Sequence, residues 1–98
     1  MRNVHNSLAD TIEDLAQIGI HFQEISIYED PHYQNDPDYQ SRCVVRVRQE
    51  HLPQSRMEVE VMLTHNGRII LGVLDRYQIS YGPMSAFMDR FLTMLDDD

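Results

Sequence analysis

The side chains that could carry chemistry are few and scattered. Cys43 is the single thiol of the 98 residues, and His5, His21, His32, His51 and His65 stand far apart in sequence. A reactive thiolate needs a base such as His21 or His65 brought beside it by the fold. Cys43 instead alternates with Val45 and Val47, the period of one strand face, which predicts a buried and inert thiol. No histidine pair has the spacing of a helical zinc site, and there is no glycine-rich phosphate loop and no Gly-x-Ser-x-Gly elbow. His32 stands among Asp30, Asp36 and Asp38, yet that run lacks the glycine and the terminal glutamate of a calcium loop. The expectation is a protein that is not an enzyme and needs neither metal nor cofactor.

The same acidic run is the most distinctive stretch of the chain. Asp30-Pro31-His32-Tyr33-Gln34-Asn35 is followed at once by Asp36-Pro37-Asp38-Tyr39-Gln40-Ser41, a tandem Asp-Pro-x-Tyr-Gln unit. Proline lacks an N–H and restricts the residue before it, so two Asp-Pro pairs exclude a continuous helix or an interior strand. Residues 29–41 therefore read as an exposed acidic loop. Carboxylates steer association with basic partners, and tyrosine supplies rigid contact area. Asp30, Tyr33, Asp36, Asp38 and Tyr39 are the candidate partner-binding residues.

Charge narrows the partner classes. The net charge of −8 argues against direct contact with nucleic acid or an anionic membrane. All the basic residues are arginines, and Arg42, Arg46, Arg48 and Arg56 form a basic strip directly after the acidic loop. No apolar run approaches the ~20 residues of a membrane span. Residues Met1 to His5 lack the apolar segment of a secretory signal, so a cytoplasmic location is expected. A chain of this length is expected to fold as one domain, 1–98.

The elements that must position these residues can be read from periodicity. Val4, Leu8, Ile12, Leu15 and Ile18 recur at helical spacing and predict a helix over 4–18, closed by Gly19. Residues 20–28 read as a strand with a bulge near Gln23. Strands over 42–50 and 57–64 set Cys43, Val45 and Val47, and then Met57, Val59, Val61 and Leu63, on one face. Antiparallel pairing of Arg46 with Glu60, Arg48 with Glu58 and Glu50 with Arg56 satisfies charge and apolar alternation together. That pairing accounts for most of the arginine strip without an anionic ligand. Asn66-Gly67 predicts a two-residue hairpin turn. With His65 beside Arg68, Ile70 and Leu74 join Val45, Val47, Val59 and Val61 as the core face. A strand break at Asp75-Arg76 is expected before Tyr77–Tyr81. Gly82-Pro83 opens a last helix with Met84, Phe87, Met88, Phe91, Leu92 and Leu95 on one side, and Asp96 to Asp98 form a frayed acidic tail.

The fold class that follows is α+β: an antiparallel meander of four strands, or five if Tyr77–Tyr81 pairs separately, between an N-terminal and a C-terminal helix. The run Arg68–Asp75 is apolar at both parities, so the sheet's outer face should carry an apolar interface patch of Val44, Met62, Ile69 and Leu71, with Val73 at its margin. Function follows as an expectation. The chain reads as an acidic protein-binding module, an inhibitor or immunity-type regulator of a basic, nucleic-acid-handling protein, of bacterial or phage type. The alternative is a small dimeric chaperone or assembly factor that holds a partner segment on its sheet.

Overall fold

A computed structural model describes residues 1–97. Helix α1 spans Val4–Ala16 and strand β1 Phe22–Glu29, and a short 3₁₀ turn covers Pro31–Asn35. Strands β2 (Tyr39–Gln49), β3 (Arg56–Thr64) and β4 (Ile69–Tyr77) follow, and helix α2 (Tyr81–Asp96) closes the chain. The four strands form one antiparallel sheet in chain order, β1-β2-β3-β4. This is the α+β meander between two helices that the periodicity predicts. No helix is long and apolar enough to cross a membrane.

Each helix starts and stops for local reasons. The Asn3 side chain accepts the Asn6 N–H at 3.2 Å and so satisfies one free donor of α1. Gly19 adopts φ 83°, while the Gly19 and Ile20 N–H groups bond the Ala16 and Leu15 carbonyls, a Schellman ending. Ser80 precedes α2, and its carbonyl accepts the Met84 N–H. Pro83 thus lies inside the first turn, where no N–H is missed. Asp97 falls beyond the helix, and Asp98 lies outside the described residues.

Both helices bury their stripes against one face of the sheet. Leu8 and Leu15 of α1 and Phe87, Phe91 and Leu95 of α2 are fully buried with Val45, Val47, Met57 and Val59. Phe87 is central, with ring centroids 5.2 Å from Phe22 and 5.4 Å from Phe91. The helices are tied to each other by the Arg2 N–H donating to the Leu95 carbonyl at 3.0 Å and by the Arg90–Asp14 ion pair. Neither covers the opposite face.

The register departs from the sequence expectation in two places. Arg46 pairs with Glu58, Val45 with Val59 and Val47 with Met57, a slip of two residues that leaves every face unchanged. The connection decides it. The Ser55 hydroxyl accepts the Gln49 N–H at 2.9 Å and donates to the Leu52 carbonyl at 2.7 Å, fixing Gln49 beside Ser55. Glu50 is drawn to the start of β1, where its N–H bonds the His21 carbonyl, and does not meet Arg56.

The second departure changes faces. The 64–68 hairpin has three loop residues, with Gly67 at φ 83° after a turn in which its N–H bonds the Thr64 carbonyl. Thr64 and Arg68 close it, through Thr64 N–H to the Arg68 carbonyl at 2.9 Å and Arg68 N–H to the Thr64 hydroxyl at 2.9 Å. This is the turn-plus-bulge alternative to the two-residue turn. Leu63 therefore meets Ile69, Val61 meets Leu71 and Val59 meets Val73, so Ile69 and Leu71 pack on the core side. Ile70, expected in the core, is 36 % exposed on the outer face beside Met62. Leu74, also expected in the core, is the extra residue of a bulge and is 49 % exposed. β4 then continues through Asp75-Arg76 to Tyr77 instead of breaking there. No fifth strand forms, since Tyr81 begins α2.

Two alanine substitutions check this core. Phe91→Ala should lower unfolding stability by about 3–5 kcal/mol, as for a buried aromatic ring. Leu74→Ala should cost less than about 1 kcal/mol, as for a surface position. Urea denaturation of both variants measures the difference, and equal losses would place Leu74 in the core.

Candidate functional site

The acidic run is more ordered than its prolines suggest. The Asp30 carboxylate accepts the His32 N–H at 3.0 Å, and Pro31 takes the first position of the 3₁₀ turn, so the first Asp-Pro unit caps its own helical turn. In the second unit, Asp36 Oδ1 accepts the N–H groups of both Asp38 and Tyr39, at 2.8 and 3.0 Å. That closes the chain into β2, which begins at Tyr39, three residues earlier than the arginine alternation suggests. The His65 ring donates from Nε2 to the Asp36 carbonyl at 2.8 Å, pinning this unit to the β3–β4 hairpin.

Arg42 gathers the corner. It stands opposite Met62, not Thr64, and its Nε donates to Glu60 at 2.9 Å while an η nitrogen reaches Asp30 at 3.4 Å. Its guanidinium lies 5.8 Å from the Tyr33 ring centroid, and Tyr33 packs edge-on against Tyr39 at 6.3 Å. The hydrogen bond to Glu60, with the nearby Tyr33 and Asp30, raises the Arg42 pKa further, against the cost of burial. Of the predicted partner-binding residues, Asp30, Tyr33, Asp36 and Tyr39 thus meet at one corner as mutually bonded groups. Of these five, Asp38 alone is exposed, beside exposed Glu29 and His32.

The remaining arginines form a ladder across the outer face. Arg46 pairs with Glu58 at 2.8 Å and Arg56 with Asp75 at 2.5 Å, while Arg48 donates to Gln23 at 3.1 Å. The basic strip is largely spent on carboxylates across the sheet, which leaves little of it for an anion. Arg2 and Arg90 are paired with Asp10 and Asp14 as well. The surplus negative charge therefore falls on groups such as Glu13, Glu24, Glu29, Asp38, Glu50 and Asp89, all of them solvent-facing or half-exposed.

The predicted apolar patch is rearranged. Val44 and Met62 do lie on the outer face, with Met62 only 7 % exposed and outside the main core cluster. Ile69 and Leu71 turn to the core side with the hairpin bulge, and Ile70 takes their place beside Met62. Tyr28, in register with Val44, adds an exposed ring. Arg42, Glu60, Ile70 and Tyr28 were missed as site residues. Arg42 carried a weak signal in its alternation with Cys43, but its contact with Asp30 depends on the loop folding back over β2.

A cleft of about 490 Å³ opens on the other side of this corner, lined by Met1, Val4, Glu29, Ser41, Cys43 and Val61 among others. Burial pushes the Cys43 thiol up to about 11, with a smaller contribution from Glu29. A thiol so shifted is protonated at neutral pH and a poor nucleophile. Among the described residues, no group of three or more His, Cys, Asp and Glu side chains is placed to hold a metal ion. No protein-family model matches the chain, and no curated protein or solved structure matches it significantly.

Two measurements follow. Arg42→Met leaves Glu60 and Asp30 facing each other without a cation, and should cost about 1.5–3 kcal/mol, the range for hydrogen bonds to charged groups. A Glu60→Gln background should recover part of that loss in a double-mutant cycle. Separately, the raised Cys43 pKa means that the unfolded chain loses its thiol proton first. Stability is therefore whole below pH 9 and falls by about 2 kcal/mol between pH 9 and 11. Cys43→Ala should lack that component of the alkaline loss, and identical pH profiles would contradict the buried thiol.

Proposed function

We propose that this chain is a non-enzymatic protein-binding domain that holds a basic protein, as an inhibitor or immunity-type regulator of a nucleic-acid-handling partner. The observation that carries this reading is the acidic corner. Its backbone is held by side-chain bonds at Asp30, Asp36 and His65, while the Asp38 and Glu29 carboxylates point to solvent. A surface ordered before binding loses less entropy when a partner docks. Exposed carboxylates, Asp38 with no basic neighbour among the described residues and Glu29 4.0 Å from the His5 ring, speed encounter with a basic partner by long-range attraction. Tyr28 and Ile70, with half-exposed Val44, lie on the neighbouring sheet face, uncovered by either helix, and supply apolar area for the docked state.

A second reading draws on the same uncovered face: an assembly factor that lays a partner segment on the sheet. Salt separates the two. The immobilised chain is exposed to native cell extract at low salt and then at about 1 M, where the Debye length shrinks to about 3 Å. Retention of a basic protein that salt releases, and that an Asp38→Asn, Glu29→Gln variant fails to hold, is the expected result. Both positions lie outside the bonds that order the corner, so the fold should be unaffected. A protein that stays bound at high salt and ignores both replacements would favour the assembly factor and refute the electrostatic reading.

A further inference from the structure

The two edges of the sheet are protected very differently. β1 carries a register shift at Ile25 and the charges of Glu24 and Glu29, devices that discourage pairing with a further strand. β4 carries none of these over its first five residues. Ile69-Ile70-Leu71-Gly72-Val73 has no charge, no proline and no bulge, and nothing lies beyond it in the sheet. Val73 is 41 % exposed, Leu74 and Tyr77 are exposed beside it, and no described backbone group outside β3 bonds this stretch.

The hydrogen-bond phase of β4 is fixed by the Thr64–Arg68 closing pair. Bonded and non-bonded pairs alternate in an antiparallel ladder. Arg68, Ile70 and Gly72 therefore face β3 with their N–H and C=O groups. Ile69, Leu71 and Val73 direct theirs outward from the edge. A run of outward groups spaced two apart and centred on Leu71 is self-complementary under a two-fold axis normal to the sheet. Leu71 then pairs with Leu71 of a second copy and Ile69 with its Val73, each pair exchanging two hydrogen bonds. The core faces of the two sheets fall on the same side, so the apolar side chains of these pairs line up. Charge agrees with the same register. Arg68, which bonds no carboxylate among the described residues, comes beside Asp75 of the second copy on the outer face, where it shares that carboxylate with the Arg56 already paired to it, because the Leu74 bulge restores Asp75 to that side.

Helix α2 extends the apolar edge. Its Arg90 and Met94 face α1, through Asp14 and Arg2. Tyr81, Met88 and Leu92 fall on the opposite flank at 3.6-residue spacing, and so lie over the β4 side. Tyr81 is 74 % and Leu92 41 % exposed. Two-fold pairing of β4 brings this flank against its copy directly above the strand junction.

We infer that β4 and the α2 flank form a homodimer interface, joining two four-stranded sheets edge to edge about Leu71, independently of the acidic corner. Light scattering of the purified chain should give twice the 11.5 kDa of one copy. Val73→Pro removes an outward donor without touching the β3–β4 ladder, a place where an edge strand tolerates proline. Leu92→Glu places a charge on the α2 flank. Each should yield a monomer with an unchanged circular dichroism spectrum. Hydrogen exchange on the unmutated chain gives a readout that does not depend on how the variants fold. The Ile69, Leu71 and Val73 amides should slow by about tenfold or more from dilute to concentrated solution. A monomer at all concentrations would overturn the proposal. So would a dimer whose three amides exchange freely, since such a dimer uses another surface.

Discussion

Everything in this molecule depends on one sheet face receiving both helices. Val45, Val47, Met57 and Val59, paired across β2 and β3, form an apolar floor, and Leu8, Leu15, Phe87, Phe91 and Leu95 close it from above. A domain of this size has material for a single core, and dividing the helices between two faces would leave each half too thin to exclude water. Placing both on one side commits the other side to solvent. The charge-paired outer face, the acidic corner and the bare edge all follow from that commitment.

The outer face solves its exposure with ions where a two-sided sheet would use hydrocarbon. Arg46 and Arg56 each meet a carboxylate from a neighbouring strand, and such exposed pairs contribute little individually, about 0–1 kcal/mol. Their value lies elsewhere. They keep a long antiparallel face soluble. With the pairs of Arg2, Arg42 and Arg90 they neutralise most of the arginines, leaving Arg48, Arg68 and Arg76 with no carboxylate among the described residues, so that unpaired acidic groups outnumber unpaired basic ones. Arg42 differs because it is half-buried and joins two strands to the 3₁₀ turn. It converts a proline-rich loop into a fixed surface.

How much was legible from the residues varies by element, for physical reasons. The helices were readable because a 3.6-residue stripe cannot be mistaken over four turns, and α1 differs from expectation only within its Schellman ending. The faces of β2 and β3 were readable because Cys43, Val45 and Val47 share one parity and Arg42, Arg46 and Arg48 the other, with Val44 the single apolar residue among them. Their register was not, because arginine and glutamate repeat every second residue and a two-residue slip pairs them almost equally well. The corner was half legible. Its residues Asp30, Tyr33, Asp36, Asp38 and Tyr39 could be named, but the bonds that tie them to the sheet come from Arg42, Glu60 and His65, which no local pattern links to them.

By itself the sequence determined the order and kind of the elements, the inward side of the two central strands and the acidic surface, since each is set by local periodicity or composition. Tertiary structure decided the rest. The stretch Ile69–Leu74 is apolar at both parities, so no pattern within it says which side faces the core. Thr64, Gly67 and Arg68 settle that by closing a three-residue turn, and the one-residue difference sends Leu71 inward and Ile70 out. Only the packed helices then show that nothing among the described residues covers the outer face or the β4 edge.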